Sequence, residues 1–260
     1  MKIFDSHCHL YDENEPEKLI YSAAENGVEG FVVVGTSYET SKKTVEIVSQ
    51  LQEDFPELDI YSAIGLHPHD ASESFDRIEE LVRETLKYVP NGLVAIGECG
   101  LDYYYNHCEP AIQLEAFRRQ IELAKQLNLA LIVHTRDAWD DTFRVLDEQG
   151  APKNTIIHCF TGGLNELTEC LKRNFTISFS GIVTFKNSIE LQRAAIECPT
   201  RSLLVETDSP FLAPEPFRGK QNSPKNVIEV LKKIIELKQT DLDETATTIF
   251  TNTQRVFNLI

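Results

Sequence analysis

The stretch FDSHCHL, residues 4–10, sets His7 and His9 two positions apart with Asp5 just ahead of them. Side chains two positions apart on a strand point to the same face. A strand here would aim both imidazoles one way, as a pair that can hold a metal ion or carry protons. Comparable residues recur along the chain. His67 and His69 follow IYSAIGL, Glu98 follows LVAIG, His134 follows ALIV, His158 follows TII and Asp208 follows SLLVET. Six of the seven histidines stand behind an apolar run, and His107 alone falls outside. Any one of them is readily explained as a satisfied core or loop histidine. The set is not, provided the runs converge. His7, His9, Glu98, His134, His158 and Asp208 suit Zn²⁺ or Mn²⁺, and carboxylates with bound water also admit Mg²⁺. Four ligands complete a tetrahedral site; six fit two cations about 3.5–4 Å apart that share a carboxylate. Glu98 lies between the two histidine groups in strand order and is the natural bridge.

The elements that must position these residues alternate regularly. Apolar, β-branched runs fall at 2–7, 30–36, 60–68, 93–102, 130–137, 155–160, 175–183 and 202–208. Their continuous rather than alternating hydrophobicity predicts strands covered on both faces, as in a parallel sheet. Helical patterns lie between them, at 17–26, 40–52, 76–88, 110–127, 139–149, 164–173 and 188–196, then from Ser223-Pro224 and again after Asp241. Gly27 and Gly150 stand where helices end, and Pro110 stands where one begins. Eight strand–helix alternations predict a single-domain α/β protein, a (β/α)₈ TIM barrel over 1–260. The structural alternative is a doubly wound open sheet. In a barrel, side chains at the C-terminal strand ends converge on one mouth. His7, His9 and Asp208 then come from neighbouring strands 1 and 8, and His134 and His158 from neighbouring strands 5 and 6.

The 260 residues are 42% hydrophobic, enough for a large core, and carry a net charge of -16. So acidic a surface repels polyanions at long range and argues against a coating or scaffold role on nucleic acid. An enzyme with a locally positive or metal-lined cleft remains compatible. The six cysteines are scattered, none in a C-x-x-C pair. That pattern, with neither a signal peptide nor an apolar run of membrane-spanning length, leads us to expect a cytoplasmic protein without membrane partners.

Six segments, in order, resemble the TatD family of metal-dependent deoxyribonucleases, within the amidohydrolase-like barrels. They are DSHCHL at 5–10, GLHPH at 65–69, GECGLDYY at 97–104, HTRDA at 134–138, HCFTGG at 158–163 and ETDSPFLAP at 206–214. RGKQNSP at 218–224 resembles the family's RGKxNxP turn, with Gln221 and Ser223 where Arg and Glu are usual. Cys99 stands where an aliphatic residue is usual. The resemblance implies one metal on His7, His9, Glu98 and Asp208, and a second on Glu98, His134 and His158. It also implies phosphodiester hydrolysis in DNA, as a 3′-to-5′ exonuclease preferring single strands.

On that reading the cations activate a water and Asp208 accepts its proton. His67 binds the scissile phosphate or protonates the leaving oxygen. Asp102 orients a ligand from behind, and Glu206, two residues before Asp208, faces the same mouth and holds a proton behind the ligands or an additional metal. Arg136, Arg218 and Lys220, with Lys186 and Lys225, form a positive rim, and Tyr103, Tyr104 and Tyr105 offer rings on which a base can stack. Two other classes remain open at this stage. The same metal pair could hydrolyse an ester or amide, as in an aminoacyl-tRNA deacylase, or the ligands could hold metal without catalysis.

Overall fold

The computed structural model describes residues 2–89, 92–105 and 107–260. The expected strands form as β1 (Ile3–Cys8), β2 (Val28–Val34), β3 (Asp59–Ile64), β4 (Leu93–Asp102), β5 (Ala130–Arg136), β6 (Thr155–Ile157), β7 (Thr176–Phe179) and β8 (Leu203–Val205). All pair in parallel, in sequence order from β1 to β8. A bridge between Cys8 and Ser209 joins the two ends of the sheet. There the His9 N–H donates to the Ser209 carbonyl at 2.8 Å and the Asp208 N–H to the His7 carbonyl at 2.9 Å. The molecule is a (β/α)₈ barrel. A doubly wound sheet would break the sequential strand order, and no break occurs.

The helices are α1 (Pro16–Ala24), α2 (Tyr38–Asp54), α3 (Phe75–Tyr88), α4 (Pro110–Leu127), α5 (Trp139–Gln149), α6 (Leu164–Lys172), α7 (Ile189–Glu197), α8 (Val227–Lys238) and α9 (Leu242–Val256). Their apolar stripes lie on the outer face of the barrel, burying Ile20, Val48, Ile78, Phe117, Leu146 and Ile234 among others. Helix α1 stops at Ala24, earlier than the glycine signal predicts, and Gly27 takes φ +87° in the turn beyond. The segment from Ser223 begins as a 3₁₀ turn, Pro224–Asn226, before α8.

Two details of the fold aim side chains at the mouth. Between Asp5 and Cys8, β1 advances three residues while β2 advances two, from Phe31 to Val33. Between Ile96 and Cys99, β4 does the same against Leu131 and Val133 of β5. Each extra residue is a bulge, which re-aims side chains near a strand end. The first bulge contains His7 and the second Glu98. Helix α4 then pins the ends of β3 and β4 from behind. Gln120 accepts from the Leu66 N–H at 2.8 Å and donates to its carbonyl at 3.0 Å. Gln113 does the same for Asp102, at 2.8 and 3.0 Å. Buried amides that satisfy both backbone groups of a strand end fix it without a charge.

Candidate metal centre

The predicted ligands converge on Glu98. Its Oε2 lies 3.4 Å from His7 Nε2 and 3.9 Å from His9 Nε2. Its Oε1 lies 2.9 Å from His134 Nδ1, 3.0 Å from His158 Nε2 and 3.4 Å from His67 Nε2. Asp208 Oδ1 adds to the first side, 3.3 Å from His9 Nε2 and 3.8 Å from His7 Nε2. The two His7 and His9 Nε2 atoms are themselves 3.3 Å apart. A tetrahedral ion with bonds of about 2.0–2.1 Å holds its ligand atoms roughly 3.3 Å from one another, so this spacing is that of a coordination shell. His158 stands between the two sides, its ring stacked on His7 at 4.0 Å.

Tautomers separate ligands from hydrogen-bond donors. His9 Nδ1–H donates to the Val34 carbonyl at 2.8 Å, which leaves a lone pair on Nε2 facing Asp208. His158 Nδ1–H donates to Glu206 Oε1 at 3.1 Å, which leaves Nε2 bare toward Glu98. In each case a lone pair meets a carboxylate oxygen inside the protein, an arrangement that needs a proton or a cation between them. His7 Nδ1 is buried and makes no hydrogen bond, and His134 Nε2 faces the Asp102 carboxylate at 3.4 Å. The donor set therefore fits divalent cations. His67 is different. Its Nδ1 accepts from the His69 N–H at 3.1 Å, so its proton sits on Nε2, pointing at Glu98. It is a donor at the edge of the site.

The same geometry governs the charges. Burial raises the Glu98 pKa, but His158 and His67 charge and hydrogen bonds from His134 and His158 outweigh it and hold the carboxyl well below its usual range. Asp208 is also lowered: burial opposes, and the hydrogen bond from His9 with the charges of His158 and His7 prevails. Burial depresses His158 and His134, yet Glu98 with Glu206 raises the first and Asp102 with Glu98 raises the second. His67 is pushed down to about 3, chiefly by burial. Burial also lifts the Cys159 thiol far above its ordinary value, so this cavity-lining cysteine is no thiolate nucleophile.

Glu206 and Asp102 lie behind the histidines. Glu206 is fully buried and accepts from both His158 and the Cys159 N–H. Asp102 Oδ2 meets His69 Nε2 at 3.0 Å and His134 Nε2 at 3.4 Å. Sequence reasoning gave no part to His69, Asp5 or Asn222. Asp5 accepts from the Thr207 N–H at 2.8 Å and from its hydroxyl at 2.6 Å, clamping β1 to the segment that carries Asp208. Asn222 donates to the carbonyls of Thr207 and Phe211 at 2.9 and 2.7 Å, and so braces Asp208 from the far side. Asp208 itself has φ +55°, a conformation that a non-glycine residue keeps only when its surroundings enforce it. The RGKQNSP turn had offered Arg218, Lys220 and its two departures as signals, and the structural part falls to the asparagine between the departures.

The positive rim is smaller than expected. Arg136 lines the cavity of about 760 Å³ above the ligands; Arg218, Lys220, Lys186 and Lys225 are not among its lining residues. Arg218 lies over the Phe185 ring at 4.1 Å. Gln221 donates to Glu13 at 2.8 Å, tying its turn to the β1–α1 loop. Of the three tyrosines, Tyr103 packs against the core and donates to Asp141 at 2.7 Å, so it offers no ring for stacking. Tyr104 and Tyr105 are exposed.

The family described as TatD related DNase matches residues 4–258. The chain belongs to the TatD family. It is 41% identical over 261 residues to YabD of Bacillus subtilis, an uncharacterised metal-dependent hydrolase, covering 99% of each chain. It is 36% identical over 266 residues to YcfH of Escherichia coli K12, which carries the same description, covering 100% of this chain and 97% of that one. The crystal structure of the TatD homologue YjjV from Escherichia coli K12 superposes with a TM-score of 0.89 at 28% identity, over 98% of both chains. This TatD protein is a metal-dependent hydrolase, and its histidine and carboxylate cluster is where metal would be held.

Proposed function

We propose that this TatD protein hydrolyses phosphodiester bonds of DNA as a 3′-to-5′ exodeoxyribonuclease on single strands, and that residues 1–260 act as one catalytic unit. The observation that carries the two-metal reading is the split of Glu98, one oxygen toward His7 and His9 and the other toward His134 and His158. Two divalent cations there, Mg²⁺, Mn²⁺ or Zn²⁺, would supply Lewis acidity and a water with a pKa near neutrality. The chain's own groups do the rest. Asp208, ionised, accepts a proton from the attacking water. His67 is neutral and carries its proton on Nε2, so it donates a hydrogen bond to a phosphate oxygen. Asp102 and Glu206 hold His134 and His158 in their ligand orientations. Arg136 places one fixed positive charge beside the phosphate.

A second reading is hydrolysis of an ester or amide, as in an aminoacyl-tRNA deacylase. The net charge of -16 favours a small ester or amide over any polyanion, tRNA included, because dedicated nucleic-acid binders are more often basic. One assay separates the two. End-labelled single- and double-stranded oligonucleotides, aminoacyl-tRNA and amide esters are incubated with each metal in turn. Stepwise shortening from the 3′ end supports the nuclease; turnover confined to the esters sinks it. Retention of metal without turnover of anything points to a non-catalytic metal protein. We place the protein in the cytoplasm: its six cysteines are free, and no described helix is long and apolar enough to cross a membrane.

A further inference from the structure

The mouth of the barrel carries more exposed aromatic surface than metal chemistry needs. Tyr105 is 51% exposed and lines the cavity, and Tyr104 beside it is 58% exposed. Arg136 fills the corner between their perpendicular rings, its guanidinium 4.1 Å from one centroid and 4.7 Å from the other. His107 lies nearly parallel to Tyr105, at 5.7 Å and 15°. These residues form one wall, following β4 and β5. A second wall follows β8, where Phe211 is 55% exposed and lines the same cavity beside Leu212. The Phe211 ring stands 6.1 Å from His9, and thus directly beside the ligands. In a barrel with strands in sequence order, β4 and β8 are diametrically opposed. The ligand floor lies between the two walls.

Exposed rings beside a polar cavity offer faces to a planar group, and a base stacked on an aromatic or guanidinium plane is sequence-tolerant. Resting on the nuclease reading above, we infer that the two walls are nucleobase subsites, one for each nucleoside flanking the scissile phosphate. Arg136 and Tyr105 stack one base and Phe211 stacks the other. The phosphate then lies over Glu98. Paired bases are not free to splay onto opposite walls, so the arrangement selects unpaired strands. A small ester with no planar group on either side of the scissile bond engages neither wall.

The test uses 3′-labelled single strands carrying one abasic tetrahydrofuran nucleotide, placed last or next to last. Each placement should lower kcat/KM by about 5- to 100-fold, the range expected for one lost stack. Phe211→Ala should abolish the penalty at one placement and leave it at the other; Tyr105→Ala with Arg136→Ala should do the reverse. Phe211→Tyr keeps a ring and should keep the wild-type pattern. Since these side chains are exposed, thermal melting checks that the variants fold. Abasic penalties below twofold at both placements, or penalties indifferent to both variants, overturn the inference while leaving the nuclease intact. If no oligonucleotide is cleaved while esters are, the nuclease reading itself fails, and the two results cannot be confused.

Discussion

Glu206 holds His158 from behind, its Oε1 3.1 Å from the imidazole Nδ1 and 2.7 Å from the Cys159 N–H. One carboxylate oxygen thereby fixes the ring's tautomer, its rotation and the first turn of the loop after β6. The bare Nε2 that faces Glu98 follows from this contact. Glu206→Gln keeps an acceptor but loses the charge that favours the ligand tautomer. We expect metal affinity to fall roughly 10–100-fold, as for other partners of ligating histidines. Titration calorimetry with Zn²⁺ or Mn²⁺ measures it; an unchanged affinity would remove Glu206 from the metal centre.

Glu98→Gln and Asp208→Asn preserve shape and delete one charge each. Glu98 is the group through which both imidazole sets are connected, and the amide nitrogen cannot ligate as an oxygen does. The variant should fold and retain fewer than about two ions per chain. Asp208→Asn should bind the ion beside His7 and His9 more weakly and, at saturating metal, still lose about 10²–10⁴-fold in turnover, the usual contribution of a positioned base. Metal analysis and oligonucleotide cleavage on the same preparations separate the two effects, and wild-type rates in either variant would refute the assignment.

How much of this was legible in the sequence depends on how local the cause is. The run at 93–102 became β4 with the same bounds, because a ten-residue run with six apolar residues and two glycines has few alternatives in an α/β chain. The ligands were visible because each stands directly behind such a run. The bulges at His7 and Glu98 were not, since register depends on the partner strand. Tyr103, Tyr104 and Tyr105 are the same side chain three times, and only the packing against α5 shows which one is half-buried. Asp5 with Thr207 and Asn222 with Thr207 are contacts over 202 and 15 residues, made by groups that look like ordinary turn polar residues in the chain.

Metal binding should depend steeply on pH. His158 and His134 are raised above an ordinary imidazole: burial lowers both, but Glu98 and Glu206 for the first, and Asp102 and Glu98 for the second, prevail. In the metal-free protein they keep their protons to higher pH, and a cation must displace them. Affinity therefore rises with pH, by up to about tenfold per unit for each proton released. The stability of the metal-free protein runs the other way. A raised folded-state pKa contributes fully below the unfolded value near 6.5 and is lost as pH climbs through the folded value. Calorimetry in buffers of different ionisation enthalpy counts the protons; a pH-independent affinity between about pH 6 and 8 would contradict the linkage.

Asn222 tests whether the turn after β8 positions Asp208. Its amide donates to the Thr207 and Phe211 carbonyls, and its Oδ1 accepts from the Ser223 N–H and from Asn226, both at 2.9 Å. It is buried, so Asn222→Ala strands these groups away from water. The cost should be about 2–3 kcal/mol, a fall in Tm of roughly 4–10 °C for a chain of this size. Asn222→Asp keeps the acceptor oxygens and loses the donors to Thr207 and Phe211, which are the contacts that flank Asp208. If the asparagine positions Asp208, both variants lower kcat at a temperature where each remains folded, and KM changes little. If it only stabilises the turn, kcat recovers fully below the melting transition. Oligonucleotide kinetics at about 15 °C, well below the expected Tm, distinguish these outcomes.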